Sequence, residues 1–342
     1  MNYKLFGKTG LRVSELCLGT MTFGTEWGWG ADKETSKKIF DCFANEGGNF
    51  IDTANRYTEG SSEKFVGEFI HSDRDHFVVA TKYSLLDRKN DLNFVGNHRK
   101  NMIRSVEQSL KRLNVDCIDI LYLHAWDFTT PIEEVLRGMN DLVSTGKIMY
   151  AAISDTPAWV VSQANTIADL RGWTRFNGLQ VEHSLIQRTV ERDLLPMAHS
   201  FDIAITAWAP LAGGALTGKY LLKKEDATRL KETSERLNAR NQLIVAEVIK
   251  IAEEINASAA QVALRWMMQK PQVIIPVVGA TKLAQIQDSI GATKMQLSAD
   301  HVARLNEISK FELGFPHDFL QQQGVKDILF GGEEHKLSNH RL

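Results

Sequence analysis

The sequence predicts a (β/α)8, or TIM, barrel with a short N-terminal β-hairpin and a C-terminal tail. Three observations carry that expectation. Eight short apolar runs alternate with segments of helical period along the chain. Most of the runs are continuous rather than alternating, as strands buried on both faces of a parallel sheet are. Eight such units fit a closed barrel in a chain of 342 residues. An open doubly wound sheet is the alternative. It calls for a Gly-rich fingerprint after the first strand, and here Gly19-Thr20-Met21-Thr22-Phe23-Gly24 does not supply G-x-G-x-x-G.

The elements follow in order. Tyr3–Leu5 and Arg12–Val13 flank a Gly7–Gly10 turn, a hairpin suited to plugging the barrel bottom. Leu16–Leu18 is the first barrel strand, and an amphipathic helix over Lys33–Glu46 stops at Gly47-Gly48. Strand Asn49–Asp52 precedes helix Ser62–Ile70, and strand Phe77–Lys82 precedes helix Asn101–Leu113. That helix has Met102, Ile103, Val106, Leu110 and Leu113 at helical spacing. Strand Ile118–His124 leads to helix Ile132–Ser144, with Pro131 at its first turn. Strand Ile148–Ile153 leads to helix Ala158–Leu170, opened by Pro157. Strand Phe176–Gln180 and helix Val190–Ser200 come next, then strand Ile203–Trp208 and a long insertion. Helices around Gln242–Ile255 and Ala259–Met268, strand Val273–Val277 and helix Leu283–Ile290 complete the set. The expected organisation is one domain over 1–342, with a core of about 14–310 and a tail over 311–342. The tail's Phe315, Phe319, Leu320 and Phe330 suggest that part of it packs on the body.

Composition narrows the partners. A formal charge of −2 argues against nucleic acid or an anionic membrane. No window approaches eighteen consecutive apolar residues, so no membrane span is expected. No apolar leader core follows Met1, and a cytoplasmic protein is expected. Cys17, Cys42 and Cys117 are odd in number and far apart, which suggests reduced thiols and no metal site. A homo-oligomer is compatible with all of this.

Chemistry gathers where strands end. Asp52, Lys82 and His124 close three successive strand runs, and Tyr57 follows Asp52 by five residues. Barrel active sites lie at the C-terminal strand ends, and neighbouring strands are about 4.8 Å apart. A phenol with a pKa near 10 is a weak acid at neutral pH. The Lys82 ammonium favours phenolate and should lower that pKa, while Asp52 keeps Lys82 protonated. His124 can donate to a carbonyl oxygen. The group can protonate a carbonyl oxygen as hydride reaches its carbon.

Several segments together resemble the aldo-keto reductases, in the aryl-alcohol dehydrogenase-like branch. They are Leu16–Met21, Phe50–Tyr57, Val79–Lys82, Asp119–His124, Gly178–Leu185 and Ala207–Leu211. The resemblance covers roughly 1–310. It implies a catalytic tetrad of Asp52, Tyr57, Lys82 and His124, with Tyr57 as general acid. It also implies NADP(H), with NAD(H) open as the alternative, stretched across the barrel mouth.

By position, the resemblance assigns the cofactor to Gly19, Thr20, Asp52, Ser154, Asp155 and Gln180, with Trp208 stacked on the nicotinamide. Ala209, Pro210, Leu211, Gly213 and Lys219 would run along the pyrophosphate. Gly279, Thr281, Lys282, Gln285 and Asp288 would surround the adenosine phosphate. Two departures stand out: Asp155 replaces the family's usual Asn, and Asp288-Ser289 replaces a usual Glu-Asn. Gly213–Lys219 also fits G-x-x-x-x-G-K, but Tyr220 stands where a triphosphatase needs Ser or Thr.

Phe23, Trp27, Trp29, Trp126 and Phe128 follow strands one and four and suggest an apolar pocket, unless they pack beneath the loops. The expected substrates are small-molecule carbonyl or alcohol compounds, foremost aromatic or hydrophobic aldehydes. The competing reading is a redox-sensing regulatory subunit like the potassium channel beta subunits, which share this resemblance.

Overall fold

A computed structural model describes residues 1–222 and 229–338. Strands β1 (Tyr3–Leu5) and β2 (Arg12–Ser14) form an antiparallel hairpin. The barrel strands are β3 (Cys17–Gly19), β4 (Phe50–Asp52), β5 (Val78–Tyr83), β6 (Ile118–Leu123), β7 (Ile148–Ser154), β8 (Phe176–Glu182), β9 (Ala204–Trp208) and β10 (Ile274–Val278). They pair in parallel in chain order, and β10 closes on β3. The predicted (β/α)8 barrel is therefore the observed one, with strand ends within two residues of expectation.

Helices α1 (Lys33–Asn45), α2 (Ser61–Ile70), α3 (Arg99–Leu113), α4 (Ile132–Ser144), α5 (Ala158–Arg171), α6 (Leu194–Ser200), α7 (Ala239–Glu254), α8 (Ala259–Met268), α9 (Leu283–Gly291) and α10 (Ala299–Ile308) surround it. The predicted helix Val190–Ser200 is shorter than expected: a 3-10 turn at Thr189–Glu191 is followed by α6. Pro196 has no N–H for a bond to Arg192, so it is tolerated only in the first turn of a helix that starts afresh.

Strand side chains alternate inward and outward. Phe50, Val78, Ala80, Ile120, Tyr122, Ala152, Ala204, Ile275 and Val277 fill the barrel interior as one buried cluster. Phe6, just past β1, joins that cluster and is fully buried. A Cβ on Gly178 would lie 2.2 Å from the Phe6 ring. Glycine there lets the hairpin plug the barrel.

The tail forms two short helices, α11 (His317–Gln321) and α12 (Gln323–Phe330). No residue over 311–338 is buried. Against the expected packing, Phe315, Phe319, Leu320 and Phe330 are exposed, and the tail meets the body through Arg188 over the Phe311 ring and a His317–Asp193 pair at 3.5 Å. Residues 339–342 of the tail, and 223–228 of the long insertion, lie outside the described residues. Among the described residues no helix is long and apolar enough to cross a membrane.

Candidate active site

Along six of the strands the inward parity runs on into the C-terminal mouth. Phe50 is followed two positions on by Asp52, Ala80 by Lys82, and Tyr122 by His124. Ala152 leads to Ser154, Gly178 to Gln180, and Thr206 to Trp208. Six polar or aromatic groups thus converge at the C-terminal mouth because they share a face with the core below.

Lys82 is wholly buried and uses all three of its N–H bonds. Nζ donates to Asp52 Oδ2 at 2.6 Å, to the Thr53 carbonyl at 2.9 Å and to the Tyr57 hydroxyl at 3.1 Å. The other Asp52 oxygen accepts from Gln180 Nε2 at 2.9 Å. The His124 ring stands edge-on to Tyr57, with centroids 5.9 Å apart. Its Nδ1 is buried with no protein partner.

Tyr57 sits in a turn that local interactions hold in place. Thr58, Glu59 and Gly60 have φ of 44°, 54° and 90°, a left-handed run costly for the two non-glycines. Thr58 Oγ1 donates to the Phe23 carbonyl at 2.6 Å, and Glu59 takes bonds from Arg56 and Trp27. The turn fixes the phenol above Lys82.

Electrostatics differ from the sequence expectation in one respect. Burial pushes the Tyr57 pKa up; the Lys82 ammonium pulls it down, Asp52 raises it, and the net direction is upward. Lys82 lowers it as expected, but the net direction is set by desolvation of the phenolate, which outweighs that neighbouring cation. Burial alone would lower Lys82, but Asp52 and Tyr57 together raise it, so it stays charged.

Burial, then the Lys82 charge, pushes His124 well below the usual histidine value. The ring is neutral at neutral pH. Below about pH 6.5 the unfolded chain binds the extra proton and the folded one does not. His124 therefore leaves stability whole above that value and lowers it as pH falls toward the depressed folded pKa. Substituting His124→Gln should flatten this acid limb in denaturant titrations across pH. An identical slope in the variant would show that the ring is not desolvated.

Around the tetrad, Asp155 has φ of 41°, a conformation that Asn and Asp tolerate best after glycine. Its Oδ1 accepts from Trp208 Nε1 at 2.9 Å and so fixes the indole plane. Burial raises the Asp155 pKa against the opposing pull of that bond.

Other predicted positions already have work within the chain. Thr20 Oγ1 contacts the Asp52 carbonyl at 2.9 Å and Ser62 at 2.7 Å. Gln285 Oε1 accepts from the backbone N–H of Thr281 and Lys282 and caps α9. Asp288 Oδ2 accepts from Ser258 at 2.9 Å, at the start of α8. Gly19 ends β3 and Gly279 follows β10, and Thr22 ties the two adjoining strand-end loops together through a 2.7 Å bond to the Ala280 carbonyl.

After β9, Ala209 has φ of 48°, and Pro210 and Leu211 lead into a 3-10 turn over Ala212–Thr217. Gly213 is left-handed, and a Cβ there would meet Leu230 at 3.0 Å and Arg236 Nη1 at 3.1 Å. Lys219 stands beside the Tyr220 ring. Arg229 lies over Trp29 at 5.4 Å, and burial and then Arg236 lower its pKa. Nothing in the sequence singled out Arg229 and Arg236 as site residues. The pair falls in the insertion without a periodic element, and the only signal was two arginines after a glycine-rich loop.

The five aromatic candidates divide. Phe23 is fully buried against Phe69 in the outer core, so it is not a pocket residue. Trp126 is half-buried against that core. Trp27 and Trp29 pack on each other at 5.8 Å on the rim. Phe128 is 70% exposed and lines a cavity of about 390 Å³ with Asp155, Pro157, Val181, Val190 and Leu194.

Comparison with known proteins agrees with the geometry. The model of the Aldo/keto reductase family matches residues 15–310. An aryl-alcohol dehydrogenase [NADP(+)] of Phanerodontia chrysosporium is 40% identical over 333 residues, covering 90% of this chain and 86% of that protein. A norsolorinic acid reductase of Aspergillus flavus is 37% identical over 326 residues, covering 92% and 83%. The aldo-keto reductase ausK of Aspergillus calidoustus is 36% identical over 339 residues, covering 93% and 84%. With a closed barrel, an inward-facing acid, lysine and imidazole beside a phenol, and these matches, the chain belongs to the aldo/keto reductase family.

Proposed function

We propose that this oxidoreductase reduces aromatic or hydrophobic aldehydes to alcohols with NADP(H), and that Tyr57 delivers the proton. The observation that carries the reading is the Lys82 ammonium, bonded at once to Asp52 Oδ2 and the Tyr57 hydroxyl. Lys82 stabilises the phenolate left after proton transfer, and Asp52 keeps the lysine charged where burial would discharge it. Neutral His124 orients the carbonyl oxygen toward the phenol by a hydrogen bond from its ring.

The residues at the mouth fit a dinucleotide. Bound reduced nicotinamide would supply the hydride to the carbonyl carbon. The Trp208 plane offers a stacking face. Gln180 gives Nε2 to Asp52 and keeps Oε1 for an amide N–H, with Ser154 and Asp155 beside it. The left-handed Gly213 loop and Arg236 offer a close backbone approach and a cation for phosphate. Lys282 and Arg229 are the further cations on which a 2′-phosphate preference rests.

Fluorescence titration should give tighter binding of NADPH than NADH, roughly tenfold or more for one charge-assisted contact. An aldehyde panel should favour aryl over short polar aldehydes. Equal affinities would remove the NADP preference, and turnover confined to charged aldehydes would sink the substrate class. The aryl-alcohol dehydrogenase relative supports this choice, as does the apolar cavity beside Phe128.

A further inference from the structure

Asp155 follows β7 directly, on a backbone held from both sides. Its N–H donates to the Gln180 carbonyl at 3.2 Å, and its carbonyl accepts from the Trp126 N–H at 3.4 Å. The residue is exposed at the mouth, although the groups crowded around it partly desolvate its carboxyl. Oδ1 is occupied by the Trp208 indole N–H. Oδ2 accepts no hydrogen bond among the described residues.

The other acids of the mouth are neutralised by contact. Asp52 is paired with Lys82, and Glu182, at the end of β8, with Arg236. Among the described residues no Lys, Arg or His forms an ion pair with Asp155, whose bond from Trp208 comes from a neutral group. Asp155 thus brings to the mouth a negative charge that no cation in contact cancels. The charge is felt at the reacting centre: it raises the Tyr57 phenol, and Lys82 in turn lowers Asp155.

The carboxylate lies at the edge of the indole that offers a stacking face to the nicotinamide, and the inference rests on that reading. A ring on that face lies inside a Debye length of the carboxylate, about 10 Å at 0.1 M salt. The oxidised nicotinamide ring is cationic and the reduced ring is neutral, so a fixed anion attracts the first and not the second. The phosphates are the same in both forms, and Arg236, Arg229 and Lys282 do not distinguish them.

We propose that Asp155 sets the balance between the two redox forms of the bound cofactor. Its carboxylate holds the oxidised form more tightly than a neutral side chain would. The bound reduced form is thereby a stronger hydride donor. Hydride passes with its electron pair from the reduced ring to the carbonyl carbon, Tyr57 gives the oxygen its proton, and the ring left beside Asp155 is cationic. Each tenfold of preference for the oxidised form lowers the midpoint potential of the bound cofactor by about 30 mV.

The test is fluorescence titration of the full chain and of Asp155→Asn with NADP+ and with NADPH. Asn keeps an acceptor for the Trp208 N–H and tolerates a φ of 41°, so the substitution removes charge alone. The variant should bind NADP+ about five- to tenfold more weakly, with NADPH affinity held within about twofold. The difference between the two chains should shrink at about 1 M salt, where the Debye length is about 3 Å. The NAD+ to NADH ratio should shift equally, because the 2′-phosphate takes no part. An unchanged ratio of the two dissociation constants in Asp155→Asn would overturn the proposal. So would equal weakening of both forms, which would reduce Asp155 to fixing the indole. A wild-type chain that binds neither form would refute the cofactor reading itself, and this inference with it.

Discussion

Tyr57→Phe should lower kcat for aldehyde reduction by about a hundred- to ten-thousand-fold, the range for loss of a positioned general acid. It should leave NADPH affinity unchanged. The substitution removes one oxygen, which accepts a hydrogen bond from Lys82 Nζ at 3.1 Å. The ring keeps its edge-on packing against His124 and its place over the lysine, 4.7 Å from Nζ to the centroid. The turn is held by Thr58, Glu59 and Gly60, none of which depends on the hydroxyl. A fall in kcat with constant cofactor affinity would therefore isolate the proton donor. Turnover near the wild-type rate would mean that a different group protonates the product.

Lys82→Met should be damaging in two separable ways. The first is stability. Asp52 Oδ2 would lose its 2.6 Å partner in a site where both side chains are buried. Stripping one member from a buried ion pair costs about 3–5 kcal/mol. Denaturant unfolding near neutral pH should register that loss. The wild-type lysine has its pKa raised by Asp52 and Tyr57. Its stabilisation is whole below the unfolded lysine pKa of about 10.4 and is lost as pH rises through the higher folded value. That alkaline loss should be missing in the variant. The second effect is on chemistry. Without the ammonium, nothing opposes the burial that raises the phenol, so the Tyr57 pKa climbs further. The basic limb of the rate profile should move to higher pH, with a lower kcat throughout. A stability loss with an unshifted basic limb would reduce Lys82 to a structural role.

Much of this site was legible because two periodicities coincide. The alternation that makes Phe50, Ala80 and Tyr122 core residues also carries Asp52, Lys82 and His124 into the mouth. Apolar runs marked the strands, and the polar residue closing each run marked the rim. What stayed hidden was set by contacts distant in sequence. Phe23 reads as a loop aromatic, yet the Thr58 bond to its carbonyl and the Phe69 ring draw it into the core. Helix Val190–Ser200 reads as one period, but Pro196 forces a restart. Arg236 becomes visible only when the fold brings it to Gly213 and to Glu182. The direction of the Tyr57 shift depended on how deeply the phenol is buried, which spacing along a chain does not report.

Catalytic cycling at this centre separates a carbonyl reductase from a redox-sensing subunit. The direct measurement is NADPH oxidation by the full chain with excess 4-nitrobenzaldehyde, with the alcohol quantified beside it. Many turnovers per chain, one alcohol formed for each NADPH consumed, and collapse of both in Tyr57→Phe are the predicted result. A single stoichiometric oxidation that does not cycle would contradict it and mark the chain as a redox-sensing subunit.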